Sequence, residues 1–199
     1  MIEKILYGDY LKRLDNIIQW QERDVFKHES VSQHSYKVTI FARVLLEDIF
    51  GRTEDAKINK YKLDCVTHAM FHDWDESLIC RDLSHEIKYN KFNGSEIREA
   101  IDKFVDHEVF VKFGEDTDTA QMIKENISEV DPGVKVLVKY CDWLGLIFYC
   151  KRELSLHNDA FQPIYEYCLS CIRTAGKKLA NYLEIEFAQS YKDTTNIIK

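Results

Sequence analysis

The sequence predicts an all-α fold in a single domain, and three observations carry that reading. Apolar residues recur at the helical period almost everywhere along the chain. No segment shows the strict alternation of a half-buried strand. Two prolines and seven glycines in 199 residues leave room for long, unbroken helices. That length is enough for one domain with a real core, and 45% hydrophobic with 31% charged residues suits a globular chain.

The elements follow in order. A first amphipathic helix is expected over Ile2 to Trp20. A second runs over Val31 to Phe50, with Val31, Val38, Phe41, Ala42 and Leu45 on one stripe. Ser30 suits its N-cap and Gly51 its C-terminal stop. Gly51 to Asn59 reads as a loop, and a third helix covers Lys60 to Asp73. An irregular polar stretch, Ser77 to Asn93, precedes a helix over Ser95 to Phe110. Lys112 to Thr119 is a polar loop before a short helix. Asp131 then caps, and Pro132 opens, a helix over Val134 to Leu154. That helix is apolar on almost every side around Leu144 to Phe148, which assigns it to the middle of the fold. A last helix is expected over Phe161 to Tyr191. The domain spans residues 1–199, with its motifs confined to about 11–153.

Charge and composition exclude several functions. A formal net charge of -7 and the lack of any Lys/Arg run argue against a nucleic-acid partner. A small phosphorylated ligand remains compatible, held by local cations and a metal. Met1 to Arg13 has no apolar signal region, and no stretch is long enough to span a bilayer. The expectation is therefore a cytoplasmic protein without a membrane partner. Cys65, Cys80, Cys141, Cys150, Cys168 and Cys171 then read as reduced thiols.

Four ligand-type side chains stand on core-facing helices. His34 sits on the apolar stripe between Val31 and Val38, where an imidazole needs a partner. Taken alone, it is a hydrogen-bonded core histidine. His72-Asp73 closes the third helix after Ala69-Met70-Phe71, and taken alone is an ordinary helix end. Asp142 is the stronger oddity, because it lies within Val-Leu-Val-Lys-Tyr-Cys-Asp-Trp-Leu-Gly-Leu-Ile-Phe. A lone buried carboxylate costs several kcal/mol unless it is paired or bound to metal. Two imidazoles and two carboxylates make a mixed site for one divalent ion: Mn, Co, Fe, Ni or Zn. Glu76, four residues past His72, shares its direction if the helix continues, and is the candidate for moving protons. The plainer reading is a solvent-facing glutamate, and Asp75 is expected to face solvent.

The longer words resemble a known family. His34, then His72-Asp73, then Asp142 is the H…HD…D pattern of HD-domain phosphohydrolases. Trp20 followed by Glu29-Ser30-Val31-Ser32-Gln33-His34-Ser35 resembles the opening of their 5′-deoxynucleotidase branch. So do Met70 to Glu76, Arg81-Asp82-Leu83-Ser84, Ile87-Lys88-Tyr89 and Leu137 to Asp142, over about Leu11 to Glu153 in all. The resemblance implies an HD-type helical bundle that hydrolyses the phosphoester at the 5′ carbon of a small-molecule deoxynucleotide, and a homo-oligomer. It implies His34, His72, Asp73 and Asp142 as metal ligands and Glu76 as general acid/base. It implies Trp20 against the sugar, Asp82 beside it, and Lys88 on the phosphate.

Three departures bear on the substrate. Gln19 stands where these nucleotidases commonly carry arginine, a role Arg23 or Arg81 can take over. Arg81 replaces a glycine before Asp82, and Ser84 replaces a proline. Monophosphates are the expected substrates. The alternative is a deoxynucleoside triphosphate hydrolase of the dATP type, which an extra arginine would suit. A non-catalytic nucleotide-binding module is the second alternative, and a cyclic-nucleotide phosphodiesterase a weaker third. His68 is expected to be structural or exposed, and Cys168-Leu169-Ser170-Cys171 to be core rather than a zinc site.

Overall fold

A computed structural model describes residues 10–79, 82, 94–113, 118–127 and 129–188. Among them are eight α-helices: α1 (Tyr10–Asn16), α2 (Val31–Phe50), α3 (Ala56–Phe71), α4 (Trp74–Ile79), α5 (Gly94–Phe113), α6 (Asp118–Ile127), α7 (Pro132–Ser155) and α8 (Gln162–Phe187). A 3-10 turn, Asp159–Phe161, precedes α8. No strand occurs among the described residues, so the fold is all-α as expected.

The sequence signals explain the sharpest boundaries. Ser30 and Gln33 form a reciprocal capping box. The Ser30 hydroxyl accepts from the Gln33 N–H at 3.3 Å, and the Gln33 side chain accepts from the Ser30 N–H at 3.1 Å. Gly51 ends α2 at φ 63°, a left-handed conformation that glycine adopts without strain. Asp55 caps α3 by accepting from the Ile58 N–H at 3.1 Å. Asp131 caps α7 through the N–H groups of Gly133 and Val134, with Pro132 in the first turn. Gly133 is required there, because a Cβ would run into the Tyr182 ring.

The first helix departs from expectation. It ends at Asn16 rather than Trp20, because the chain turns into an antiparallel bridge between Ile18 and Ser30. Gln19 N–H donates to the Glu29 carbonyl at 2.8 Å, and Val31 N–H to that of Ile17 at 2.9 Å. Those carbonyls satisfy the backbone that a longer helix would otherwise have used. The third helix also begins four residues early and stops at Phe71, two residues short of Asp73.

The described residues fall into two compact units interleaved along the chain. One takes the segments to Asp24, His28–Ser35 and Phe71–Val130; the other takes Val25–Lys27, Tyr36–Met70 and the chain from Asp131. In the first unit Leu14, Ile17, Val31, Trp74, Val105 and Ile127 form a buried cluster, with Phe71 and Ile101 against it. Each such side chain contributes roughly 1.5–3 kcal/mol on full burial.

In the second unit α7 packs along α8 and is buried on most of its circumference. Phe50, Tyr61, Tyr182 and Phe187 form an aromatic cluster with ring centroids 5.1–6.3 Å apart. Tyr61 donates its hydroxyl to the Gly133 carbonyl at 3.2 Å. Burial, with Cys65 adding, holds that phenol far above its ordinary range, so it stays a donor. Cys65, Cys141, Cys150, Cys168 and Cys171 are free thiols, and all but the half-buried Cys171 are buried. The CxxC motif is thus packed into the helix pair, as expected for core.

Glu153, fully buried on α7, ties down the segment Val25–Lys27. Its carboxylate accepts from Phe26 N–H at 2.8 Å, Lys27 N–H at 3.1 Å and the Asn158 amide at 3.0 Å. Arg152 and Tyr149 donate to the Lys27 carbonyl at 2.8 and 3.3 Å. Burial works to raise the Glu153 carboxyl, but those hydrogen bonds and Arg152 outweigh it and hold it below its ordinary range. A carboxyl depressed in the fold adds stability above the ordinary carboxylate range and loses it as pH falls through its folded value. Glu153→Gln is therefore expected to lower Tm at neutral pH, with the gap to the parent narrowing below about pH 4. Tm measured against pH checks this; a gap that stays constant contradicts it.

Candidate active site

His34 enters the site through the capping box. Ser30 starts α2, the His34 N–H donates to the Ser30 carbonyl at 3.0 Å, and the ring lies one turn in, 1% exposed. The same bridge that ends α1 sets Glu29 directly before that cap. Its carboxylate, also 1% exposed, stands 3.9 Å from His34 Nδ1.

His72 and Asp73 occupy the two-residue turn between α3 and α4 rather than a helix end. The Asp73 carbonyl accepts from the Glu76 N–H at 3.1 Å and so starts α4. The idea that one helix carries both His72 and Glu76 is therefore corrected, because the chain breaks between them. A turn lets adjacent side chains converge, which a helix would spread by about 100°.

Within the first unit three predicted ligands come together. The rings of His34 and His72 lie 5.4 Å apart, tilted by 51°. Their ligand nitrogens are within 4.8 Å of each other. Asp73 Oδ2 stands 3.9 Å from His34 Nε2 and 3.1 Å from His72 Nε2. Two imidazole nitrogens and a carboxylate oxygen, all largely withdrawn from water, fit a borderline divalent ion. The Glu29 carboxylate, facing the other nitrogen of His34, is placed to orient that imidazole. Asp142, in the second unit, is buried on α7 and accepts from Lys139 one turn earlier, whose ammonium lies 4.9 Å from the Trp143 ring.

Glu76 is 1% exposed, which removes the solvent-facing reading. Asp75 is also 1% exposed, contrary to expectation. Its carboxylate accepts from the Glu76 N–H at 3.1 Å. A six-residue helix that buries Trp74, Asp75, Glu76 and Ser77 in succession has no periodicity from which this could be read.

Three expected substrate residues also meet in the first unit. Trp20 N–H donates to Asp82 Oδ2 at 2.8 Å, and the Gln21 amide to the Asp82 carbonyl at 3.3 Å. Trp20 holds φ 60°, a left-handed conformation rare for a bulky residue and costing of order 1–3 kcal/mol. The Arg23 guanidinium stands 5.8 Å from its ring centroid. Gln19 is buried and its N–H belongs to the bridge with Glu29. Arg81 and Lys88 lie outside the described residues. His68 is buried on α3, within the structural-or-exposed expectation. Glu29 and Asp75 were given no role by the sequence reading. The one available signal was an acidic residue immediately before the Ser30 cap.

Residues 6–191 match the family model described as 5′-deoxynucleotidase YfbR-like. A 5′-deoxynucleotidase of Cronobacter sakazakii is 29% identical over 154 residues, 76% of this chain and 74% of that protein. A 4′-phosphooxetanocin A phosphatase of Priestia megaterium is 28% identical over 87% of this chain and 82% of its own length. An HD-domain phosphohydrolase structure from Listeria innocua superposes with a TM-score of 0.68 at 20% identity, covering 92% of this chain and 87% of that one.

Replacing Glu29 leaves the candidate donor atoms of His34, His72 and Asp73 in place and removes the carboxylate that faces His34 Nδ1. Glu29→Gln is expected to weaken divalent-metal affinity by about 10- to 100-fold, read by chelator competition. Unchanged affinity would remove Glu29 from the site.

Proposed function

Since the chain belongs to the YfbR-like 5′-deoxynucleotidase family, a family of metal-dependent deoxynucleotide 5′-phosphohydrolases, we propose deoxyribonucleoside 5′-monophosphates as its substrates and the following roles for its residues. The observation that carries the roles is the convergence of His34, His72 and Asp73 on one buried point.

His34, His72 and Asp73 hold one divalent ion, and Asp142 supplies the fourth ligand. His34, His72 and Asp142 each offer a donor atom of the kind Mn, Co, Fe, Ni or Zn accepts. When bound, the ion supplies Lewis acidity, lowering the pKa of water and neutralising charge that develops on the phosphoryl oxygens.

The protein's own groups do the rest. Trp20, held by Asp82 in its left-handed conformation, lies against the deoxyribose and leaves no room for a 2′-hydroxyl. Arg23, stacked near Trp20, offers a cation to the phosphate where Gln19 does not. Arg81 and Lys88 are the further phosphate contacts implied by the sequence. Water attacks phosphorus, the bond to the 5′ oxygen breaks, and Glu76 protonates that oxygen as it departs. Glu76 regains a proton from the water consumed, and the products are a deoxynucleoside and inorganic phosphate. Relatives named 5′-deoxynucleotidase support monophosphates over triphosphates.

No described helix is long and apolar enough to cross a membrane, and the described cysteines are free thiols, which supports a cytoplasmic enzyme. Tyr36, Ile40 and Val44 form an exposed apolar stripe on α2, which supports a homo-oligomer.

Purified protein with Mn or Co is expected to release orthophosphate from dNMPs, far less from rNMPs, and no triphosphate from dNTPs. Glu76→Gln is expected to lower kcat by about 100- to 10,000-fold while retaining the metal. Triphosphate release would move the assignment to the dNTP alternative, and no phosphate from any dNMP would end it.

A further inference from the structure

A surface pocket of about 530 Å³ in the second unit shares no residue with the proposed chemistry. That volume is in the range of small-molecule sites, about 300–1,000 Å³. Its charged lining is Arg43, Arg52, Lys62 and Glu47. Three cations against one carboxylate leave two net positive charges, on a chain whose formal net charge is -7. Glu47 is shared, lying 2.8 Å from Arg43 and 3.4 Å from Lys62. Arg52 makes no ion pair among the described residues.

Lys62 is the most telling of these groups. It is only 5% exposed, and a buried ammonium is costly unless it is paired. Its partners are the Gly51 carbonyl and a carboxylate already committed to Arg43. An incoming anion would complete its charge balance.

The loop after α2 is built to face the pocket with donors. Gly51 turns the chain at φ 63°, and Arg52 and Thr53 follow it. The Asn59 amide donates to the Thr53 carbonyl at 3.0 Å and fixes the loop. The Thr53 hydroxyl accepts from the Asp55 N–H at 3.1 Å, which leaves its hydrogen to donate. The Asp55 carboxylate is spent on capping α3 and does not line the pocket. Leu63 and Val66, one turn apart on α3, supply an apolar wall, and Leu63 is 66% exposed.

We propose that this pocket binds a phosphate-bearing small molecule at a site separate from catalysis, with Arg43, Arg52, Lys62 and Thr53 on the phosphate and Leu63 and Val66 against any organic part. A fork of arginines matches phosphate oxygens, and a local positive potential concentrates such anions.

Equilibrium dialysis of the metal-loaded protein tests it, with orthophosphate and adenosine 5′-monophosphate as probes. Wild type is expected to bind one equivalent of a probe more than Arg43→Ala/Arg52→Ala, the pocket class weakening about tenfold or more. The double variant is expected to keep wild-type metal content and dNMP turnover, which shows that the lost site is not the active site. Arg52→Ala alone, on an exposed loop residue, serves if the double variant fails to fold. An extra equivalent of orthophosphate in wild type over the variant identifies a bare-phosphate ligand; an extra equivalent of the nucleotide alone identifies one with an organic part, and both support the site. Equal numbers of sites in wild type and variant for both probes overturn it.

Discussion

Two imidazoles and a carboxylate facing one another in a buried place constrain everything around them. Their donor atoms cost free energy there unless something binds them, so the backbone that delivers each must be fixed independently. His34 is fixed by the Ser30–Gln33 capping box and the bridge from Ile18. His72 and Asp73 are fixed by lying between the end of α3 and the start of α4. The hydrophobic cluster around Leu14, Val31 and Trp74 takes in Phe71 and Trp74, the residues on either side of that turn. The site is a consequence of where three helices are made to start or stop.

The same bridge joins the proposed metal site to the proposed sugar contact. One side of it carries Gln19 and Trp20, and the other carries Glu29 and the cap of α2. A tryptophan held at φ 60° is strained, and strain of that kind persists only where surrounding bonds over-determine it. The Asp82 hydrogen bond is one such restraint. In the second unit, Glu153 holds Phe26 and Lys27 by their backbone. The residues proposed for the sugar and the carboxylate facing His34 are thereby set by one short stretch of chain.

Much of this was legible in the sequence, for physical reasons that can be named. The bounds of α2 follow from a capping residue and a left-handed glycine, and the start of α7 from Asp131-Pro132, because caps are local chemistry. That His34, His72 and Asp73 would lie near one another was legible because ionisable groups on apolar faces are costly. The end of α1 was not legible, because the carbonyls that replace its hydrogen bonds come from residues a dozen positions away. The break at His72-Asp73 was missed because a six-residue helix shows no period. Asp75 was misread for the same reason: its burial is decided by tertiary packing, which no residue type near it announces.

The account rests on a resident ion held by the two histidines. The most direct measurement is the divalent-metal content of purified protein and of His34→Ala and His72→Ala variants whose helical circular dichroism is intact. The account predicts close to one equivalent in the parent and a large loss in each variant. Equal metal content in parent and variants, or none in a parent supplied with Mn, Co, Fe, Ni and Zn, would contradict it.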